Sequence, residues 1–87
     1  MSTDKLIRLS DHAREQMIRR GASEEEIFQA IKTAPWEKAE LGRMQCRKEF
    51  TFNQIWNGKK YSQKQVRPIF VEEQAEIVVV TVYVYYS

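Results

Sequence analysis

The stretch "IVVVTVYVYY", Ile77–Tyr86, constrains the fold of this chain more than any other feature of its sequence. It is the longest apolar run, but it is only about half as long as a membrane-spanning helix needs to be. Its side chains are almost all β-branched or aromatic, and such residues favour extended backbone. Nearly continuous apolar character is typical of a strand buried on both faces. We therefore predict a strand in the middle of a β-sheet.

The two faces of this predicted strand differ in chemistry. Successive side chains of a strand point to opposite faces, so the even-numbered positions from Val78 to Val84 form a valine face, which we expect to pack against helices. Thr81, Tyr83 and Tyr85 belong to the other face. On a helix-free surface, hydroxyl groups and aromatic rings can bind phosphate oxygens or stack on unpaired bases. The alternative is that Thr and Tyr occur here only because they pack well in strands.

Two short helices are predicted in the first half of the chain. Ser10 or Asp11 is a suitable N-cap for the first helix, and Gly21 can end it in a left-handed conformation. The second helix begins with Ser23 and Glu26, whose spacing is that of a capping box.

Strands are predicted for the second half, because the hydrophobic period changes from 3.6 to two after Arg43. Asn57-Gly58 predicts a tight hairpin, and Pro68 places the strand "VRPIFVEE" at an edge or a bulge. A short extended segment is expected at residues 4–10. The predicted fold is a single α+β domain, residues 1–87. In it, a short β-segment and two N-terminal helices pack on one face of a sheet of three or four antiparallel strands.

The cysteine and histidine content excludes several kinds of site. Cys46 is the only cysteine, so no internal disulfide can form, and one histidine with one cysteine supplies no ligand set for a structural zinc ion. We therefore expect no metal and no cofactor. No stretch resembles a signal peptide, and we expect a cytoplasmic protein without a membrane segment.

Positive charge is concentrated in the middle of the chain, although the formal net charge is only +2. The basic residues there are Arg43, Arg47, Lys48, Lys59, Lys60, Lys64 and Arg67, and aromatic residues lie between them. Cations interleaved with aromatic rings are typical of surfaces that bind nucleic acid. The alternative is a solvated charged face with no ligand.

His12, the only histidine, falls in the first turn of the first predicted helix. Gln16 and Arg19 follow at i+4 and i+7, and the three residues form a polar row. The helix dipole and the arginine both oppose a positive imidazole, so we expect a neutral ring that can accept a proton. The alternative is an exposed first-turn residue without a role.

Several stretches closely resemble the bacterial domain-of-unknown-function 4258 family over nearly the whole chain. They are "HAREQMIRRGASEEEI", "RKEFTFN", "KQVRPIFVEE" and "IVVVTVYVYY". The resemblance implies a small toxin-like protein related to the RelE and barnase-like ribonuclease folds, encoded beside a small antitoxin-like partner. The family's motif, mapped onto this chain, points to His12, Arg20, Lys48, Lys64, Thr81 and Tyr83.

The expected activity is metal-independent cleavage of RNA by the toxin component of a toxin–antitoxin pair. A base removes the 2′-hydroxyl proton, cations stabilise the phosphate in the transition state, and an acid protonates the leaving 5′-oxygen. We expect His12, Lys64 and Tyr83 to be catalytic, and Arg20, Arg43, Lys48 and Thr81 to bind substrate. Two other classes stay open: a non-catalytic nucleic-acid-binding regulator and a small protein-interaction module. The expected partners are RNA and the antitoxin-like protein, a homodimer is left open, and no membrane is expected.

Overall fold

Two helices cover one face of a six-stranded β-sheet in the computed structural model, which describes residues 5–87. In chain order the elements are β1 (Leu6–Leu9), α1 (Asp11–Arg20), α2 (Glu24–Thr33), β2 (Glu37–Lys38), a 3₁₀ turn (Glu40–Gly42), β3 (Met44–Gln45), β4 (Lys48–Trp56), β5 (Lys59–Glu72) and β6 (Glu76–Tyr86). Residues 1–4 of the predicted domain, including the first residue of the predicted extended segment, lie outside the described residues.

The ends of both helices follow the capping signals in the sequence. The hydroxyl of Ser10 accepts a hydrogen bond from the Ala13 amide at 3.1 Å, and Gly21 ends α1 with φ +81°. Ser23 and Glu26 form both hydrogen bonds of the capping box at the start of α2. Both helices are therefore confirmed near the predicted positions.

The strand order in the sheet is β1-β6-β5-β3-β2, and β4 pairs with the first half of β5. β6 pairs with β5 in the antiparallel sense and with β1 in the parallel sense, so its first half lies inside the sheet as predicted. Pro68 lies where the neighbour of β5 changes from β4 to β3. Because no ladder bond is needed there, the missing amide of Pro68 costs nothing.

The α+β class and the two N-terminal helices are confirmed, but the predicted number of three or four strands is wrong. Within residues 5–87 the sheet contains six strands, and β1 joins it in the parallel sense. β2 and β3 have only two residues each, too few for a period of two to be visible in the sequence. The pairing of β1 with β6 joins residues 70 positions apart, from Leu6 with Glu76 to Leu9 with Val79, and local patterns carry no information about such partners.

The predicted valine face of β6 is correct only for the second half of the strand. Between Val79 and Thr81 the register with β5 shifts by one residue, so Val80 is a bulge. Before the bulge, odd-numbered residues are buried against the helices; after it, the buried residue is Val82. Thr81 and Tyr83 therefore lie on the helix-free face as expected. Before the bulge, however, the even-numbered residues do not face the helices, contrary to the prediction.

One apolar core lies between the helices and the sheet. Its largest fully buried side chains include Phe70 of β5, and Ile27 and Ile31 of α2. The ring of Trp36 meets Phe70 edge to face, with centroids 5.0 Å apart. Burying side chains of this size stabilises a fold by about 1.5–3 kcal/mol each. The helix-covered face of the sheet is thus the stabilising face, and no element within residues 5–87 covers the opposite face to a comparable extent.

Candidate nucleic-acid interface

A groove of about 600 Å³ lies on the helix-free face of the sheet. The segment around the 3₁₀ turn forms one wall, and the floor consists of side chains from β3, β5 and β6. The lining residues include Lys38, Glu40, Arg43, Gln45, Arg67, Thr81 and Tyr83. The groove is therefore lined by three cations, two hydroxyl groups, an amide and one carboxylate, beside the apolar residues Ala39, Leu41 and Ile69.

Tyr83 is held beside two guanidinium groups. Arg67 is its direct cross-strand neighbour on β5, and the Cζ atom of Arg67 lies 4.9 Å from the centroid of the Tyr83 ring. The Cζ atom of Arg20, from the end of α1, lies 5.0 Å from the same centroid. Cation–π attraction of this kind is worth about 0.5–2 kcal/mol per contact. Both guanidinium groups and the phenol therefore lie in one small volume.

Arg20 reaches Tyr83 because α1 takes the place of a neighbouring strand along part of β6. The Gln16 side-chain oxygen accepts a hydrogen bond from the Val82 amide at 2.9 Å. Nη1 of Arg20 donates to the Val82 carbonyl at 2.8 Å. These two side chains satisfy the backbone groups that β1 leaves open, since β1 pairs only as far as Val79. The second bond also fixes the guanidinium at the edge of the sheet.

Arg67 is held in the groove at a cost to stability. Its Nη1 donates to the Tyr85 hydroxyl at 3.2 Å, but its Nε is buried and has no hydrogen-bond partner within residues 5–87. A buried donor without a partner costs about 1–3 kcal/mol. Cation–π contacts with the rings of Tyr83 and Tyr85 hold the guanidinium at this position despite that cost.

The cations near the groove are not neutralised by neighbouring acids. Five ion pairs connect described residues, and none of them includes Arg20, Lys38, Arg43 or Arg67. Glu40 contributes one carboxylate to the groove wall. An uncompensated set of cations in a concave surface concentrates positive potential and attracts anions.

Four of the seven predicted site residues come together here. Arg43, Thr81 and Tyr83 line the groove, and Arg20 touches the ring of Tyr83. Arg67 and Lys38 were not predicted as site residues. Arg67 belonged to the basic cluster, but its place opposite Tyr83 depends on the β5–β6 register, which the sequence does not reveal. Lys38 lies in a strand of two residues without a sequence signal.

Lys64 lies on the other face of the sheet. Its Nζ is 2.9 Å from the Glu26 carboxylate, donates to the Gly21 carbonyl at 2.9 Å, and lies over the ring of Phe52. The side chain is only 7% exposed. Lys64 thus joins the α1–α2 turn to the sheet and is separated from Tyr83 by the sheet itself. Lys48 of β4 lies over the ring of Phe50 and does not line the groove.

His12 is exposed, and no described residue forms a hydrogen bond, ion pair or ring contact with it. It does not line the groove. The polar row expected on α1 is also not maintained, because Gln16 is buried at the edge of β6. The structure therefore does not bring the imidazole together with the predicted cationic residues.

No helix within residues 5–87 is long and apolar enough to span a membrane. In the same range, no three His, Cys, Asp or Glu residues are grouped so that they could hold a metal ion.

The model of one protein family, the domain of unknown function DUF4258, matches residues 9–84. The matched range includes all six residues to which the family resemblance pointed, together with Arg43 and Arg67. No curated protein and no solved structure matches the chain.

Proposed function

The chain belongs to the DUF4258 family, and we propose that it is a metal-independent endoribonuclease whose site is the groove on the helix-free face. The observation that carries the proposal is the Tyr83 phenol beside the guanidinium groups of Arg20 and Arg67. In RNA cleavage two negative charges develop near the phosphorus, one on the phosphoryl oxygens and one on the leaving oxygen. Guanidinium groups suit the first and a hydroxyl proton donor suits the second.

The proposed reaction is transfer of a phosphodiester within the RNA chain. The 2′-oxygen forms a bond to phosphorus as its proton passes to solvent, and the bond from phosphorus to the 5′-oxygen breaks. Tyr83 donates its proton to that leaving oxygen and is reprotonated from solvent. The products are a 2′,3′-cyclic phosphate and a 5′-hydroxyl. Arg67 binds the reacting phosphate, and the Thr81 hydroxyl and Arg43 orient the chain.

His12 and Lys64 have no part in this mechanism, although both were expected to be catalytic. His12 has no contact with the groove, and the charge of Lys64 is already paired with Glu26 on the opposite face. Lys48, expected to bind substrate, is likewise not assigned a role. The proposed site therefore keeps Arg20, Arg43, Thr81 and Tyr83 from the prediction and adds Arg67.

The test is cleavage of a single-stranded RNA in the presence of EDTA, with products identified by mass spectrometry. Tyr83→Phe removes only the hydroxyl, and we expect it to lower the rate by about 10²–10⁴-fold. His12→Ala is the matched control and should retain the wild-type rate. An RNA with one 2′-deoxy position should resist cleavage there. Cleavage that survives Tyr83→Phe but not His12→Ala would overturn the proposal.

A second function, RNA binding without cleavage, is favoured by the position of the only imidazole outside the groove. It would need the groove cations but not the Tyr83 hydroxyl. Under this function Tyr83→Phe and wild-type protein bind RNA equally, and neither produces a cyclic phosphate. The cleavage experiment therefore separates the two functions.

The toxin role and the antitoxin-like partner remain part of the proposal. A partner that covers the groove would neutralise the cations on which cleavage depends. Induced expression of the chain alone should arrest growth and degrade RNA, and Arg67→Met should prevent both. Co-expression of the neighbouring gene should restore growth if its product is the partner. Intact RNA in a culture that grows normally would remove the toxin role.

A further inference from the structure

A second recess of about 250 Å³ lies beside the groove, between the end of α1 and the tip of the β4–β5 hairpin. Tyr83 lines both cavities, so the two meet at this residue. The recess is further lined by Arg19, Trp56, Asn57 and Val84. A chain bound in the groove can therefore continue past Tyr83 into the recess.

The open edge of β6 gives the recess a hydrogen-bonding wall. Ser87 exchanges both backbone hydrogen bonds with Gln63, and bonded pairs alternate along an antiparallel ladder. The amide and carbonyl of Val84 therefore point away from β5. The corresponding groups of Val82 are bound by α1, whereas no hydrogen bond to those of Val84 occurs within the described residues. One donor and one acceptor are thus presented side by side.

The other walls are aromatic and cationic. Trp56 stacks on Tyr86, with centroids 5.1 Å apart and an angle of 17° between the rings. Arg19 is exposed, and none of the ion pairs among the described residues includes it. A flat ring system beside a donor–acceptor pair and a cation matches an unpaired nucleobase with its phosphate.

We propose that this recess binds the nucleotide next to the cleaved bond, with its base against Trp56 and the Val84 backbone and its phosphate at Arg19. The inference rests on the proposed function and specifies its substrate as single-stranded RNA that occupies two adjacent subsites. A base inside a duplex is stacked and paired, and it cannot enter. A peptide strand is less suited to this edge, because α1 already occupies the positions at Val82.

The test is fluorescence anisotropy at fixed salt with labelled 2′-O-methyl RNA of two and six nucleotides, which cannot be cleaved. Arg19→Gln should weaken binding of the hexanucleotide by about tenfold. Binding of the dinucleotide should be nearly unchanged, because its only phosphate is the one at the cleaved bond, which Arg67 binds. Arg14→Gln is the control for net charge, because it removes one positive charge from the same helix outside the recess, at a residue that is paired with Glu24. Replacing the base next to the cleaved bond by an abasic residue should cost the wild-type protein about tenfold as well.

Three results would overturn the inference. Equal losses in Arg14→Gln and Arg19→Gln would indicate only long-range charge. A loss in Arg19→Gln without any effect of the abasic residue would leave a phosphate contact and no base subsite. Equal affinity for a duplex of the same length would exclude the unpaired base. In each case RNA still binds, whereas failure of every RNA to bind would refute the proposed function itself.

Discussion

Lys64 and Arg67 lie three residues apart on β5, yet their positive charges have opposite roles because they lie on opposite faces of the sheet. On the covered face, Lys64 is buried and its charge is paired with Glu26 at 2.9 Å. On the open face, Arg67 has no acidic partner among residues 5–87, and one of its donors is buried without a hydrogen bond. Of these two cations on β5, the one on the covered face is therefore neutralised within the protein, and the one on the open face is not.

The covered face uses its polar groups to attach the α1–α2 turn. Beside Lys64, the Tyr86 hydroxyl donates to the Arg20 carbonyl at 2.6 Å. Burial, and then the nearby Glu26 carboxylate, raises the pKa of Tyr86, which keeps the phenol protonated as a donor. The Lys64 ammonium and the Tyr86 hydroxyl are thus bound within the protein. On the open face, by contrast, Nε of Arg67 has no acceptor within residues 5–87.

The largest expected effect is on stability, from Lys64→Met. Loss of the ammonium leaves the largely buried Glu26 carboxylate without its partner, and such a change costs about 3–5 kcal/mol. Urea denaturation measures the loss. Lys60→Met, at an exposed position of the same strand, should change stability by no more than about 0.5 kcal/mol. Equal stability of the two variants would remove the structural role of Lys64.

Gly21→Ala tests how the α1–α2 turn is attached to the sheet, by a change in the turn itself. Gly21 has φ +81°, and a Cβ atom there would lie 2.5 Å from the Tyr86 hydroxyl and 2.7 Å from the Trp56 ring. We expect a loss of about 2–4 kcal/mol, from the backbone conformation and the displaced rings. Gly58→Ala is the control, with φ +80° and open space around it, and should cost only about 1 kcal/mol. Equal losses of stability in Gly21→Ala and Gly58→Ala would show that the close packing of Gly21 against Tyr86 and Trp56 does not contribute to stability.

Arg67→Met should lower RNA cleavage without a comparable loss of stability. The variant loses the hydrogen bond to Tyr85 and the cation–π contacts with the rings of Tyr83 and Tyr85, but it also removes the buried donor that has no partner. These effects oppose each other, so the free energy of unfolding should change by less than about 1 kcal/mol. RNA cleavage should nevertheless fall by about 10²-fold. A destabilisation as large as that of Lys64→Met would make Arg67 a structural residue and erase the difference between the faces.

The smallest effect at neutral pH concerns Cys46, which is buried in the core. Burial raises the pKa of this thiol to about 12 from 9.0, so the reactive thiolate is scarce in the folded protein. Reaction with a thiol reagent at pH 8 should be at least about 10²-fold slower than in urea. Because the pKa is higher in the folded state, stability should decline as the pH rises past about 9. Cys46→Ala should weaken that decline, and fast labelling of the native protein would contradict the buried position.

The sequence correctly predicted those features of the fold that depend only on neighbouring residues. The caps at Ser10 and Ser23, the hairpin at Asn57, and the change of period after the helices all depend on neighbouring residues, and the structure follows them. Tyr83 was placed on the open face because alternation holds downstream of the bulge. The bulge at Val80 shifts the alternation by one residue, so the same alternation assigns the wrong face to the residues before it.

The sequence could not predict which residues from distant segments contact one another. Lys64 and Arg67 differ in parity, but only the packing of α2 and its Glu26 decides which of them is neutralised. Arg20 is held beside Tyr83 by its hydrogen bond to the Val82 carbonyl, 62 residues away in the sequence. The prediction from the family's motif and the charge pattern therefore placed Lys64 and Tyr83 in one site, although a sheet lies between them.

The most direct measurement is the salt dependence of binding to a 2′-O-methyl RNA, which cannot be cleaved, for wild-type protein, Arg67→Met, Arg43→Gln and Lys60→Met. For single-stranded RNA, each phosphate contact adds about 0.7 to the slope of log affinity against log salt concentration. If the open face binds the phosphate backbone, Arg67→Met and Arg43→Gln should each reduce the slope by about 0.7. Lys60→Met should leave it unchanged. Identical slopes for all four proteins would contradict the assignment of the groove as an RNA-binding surface.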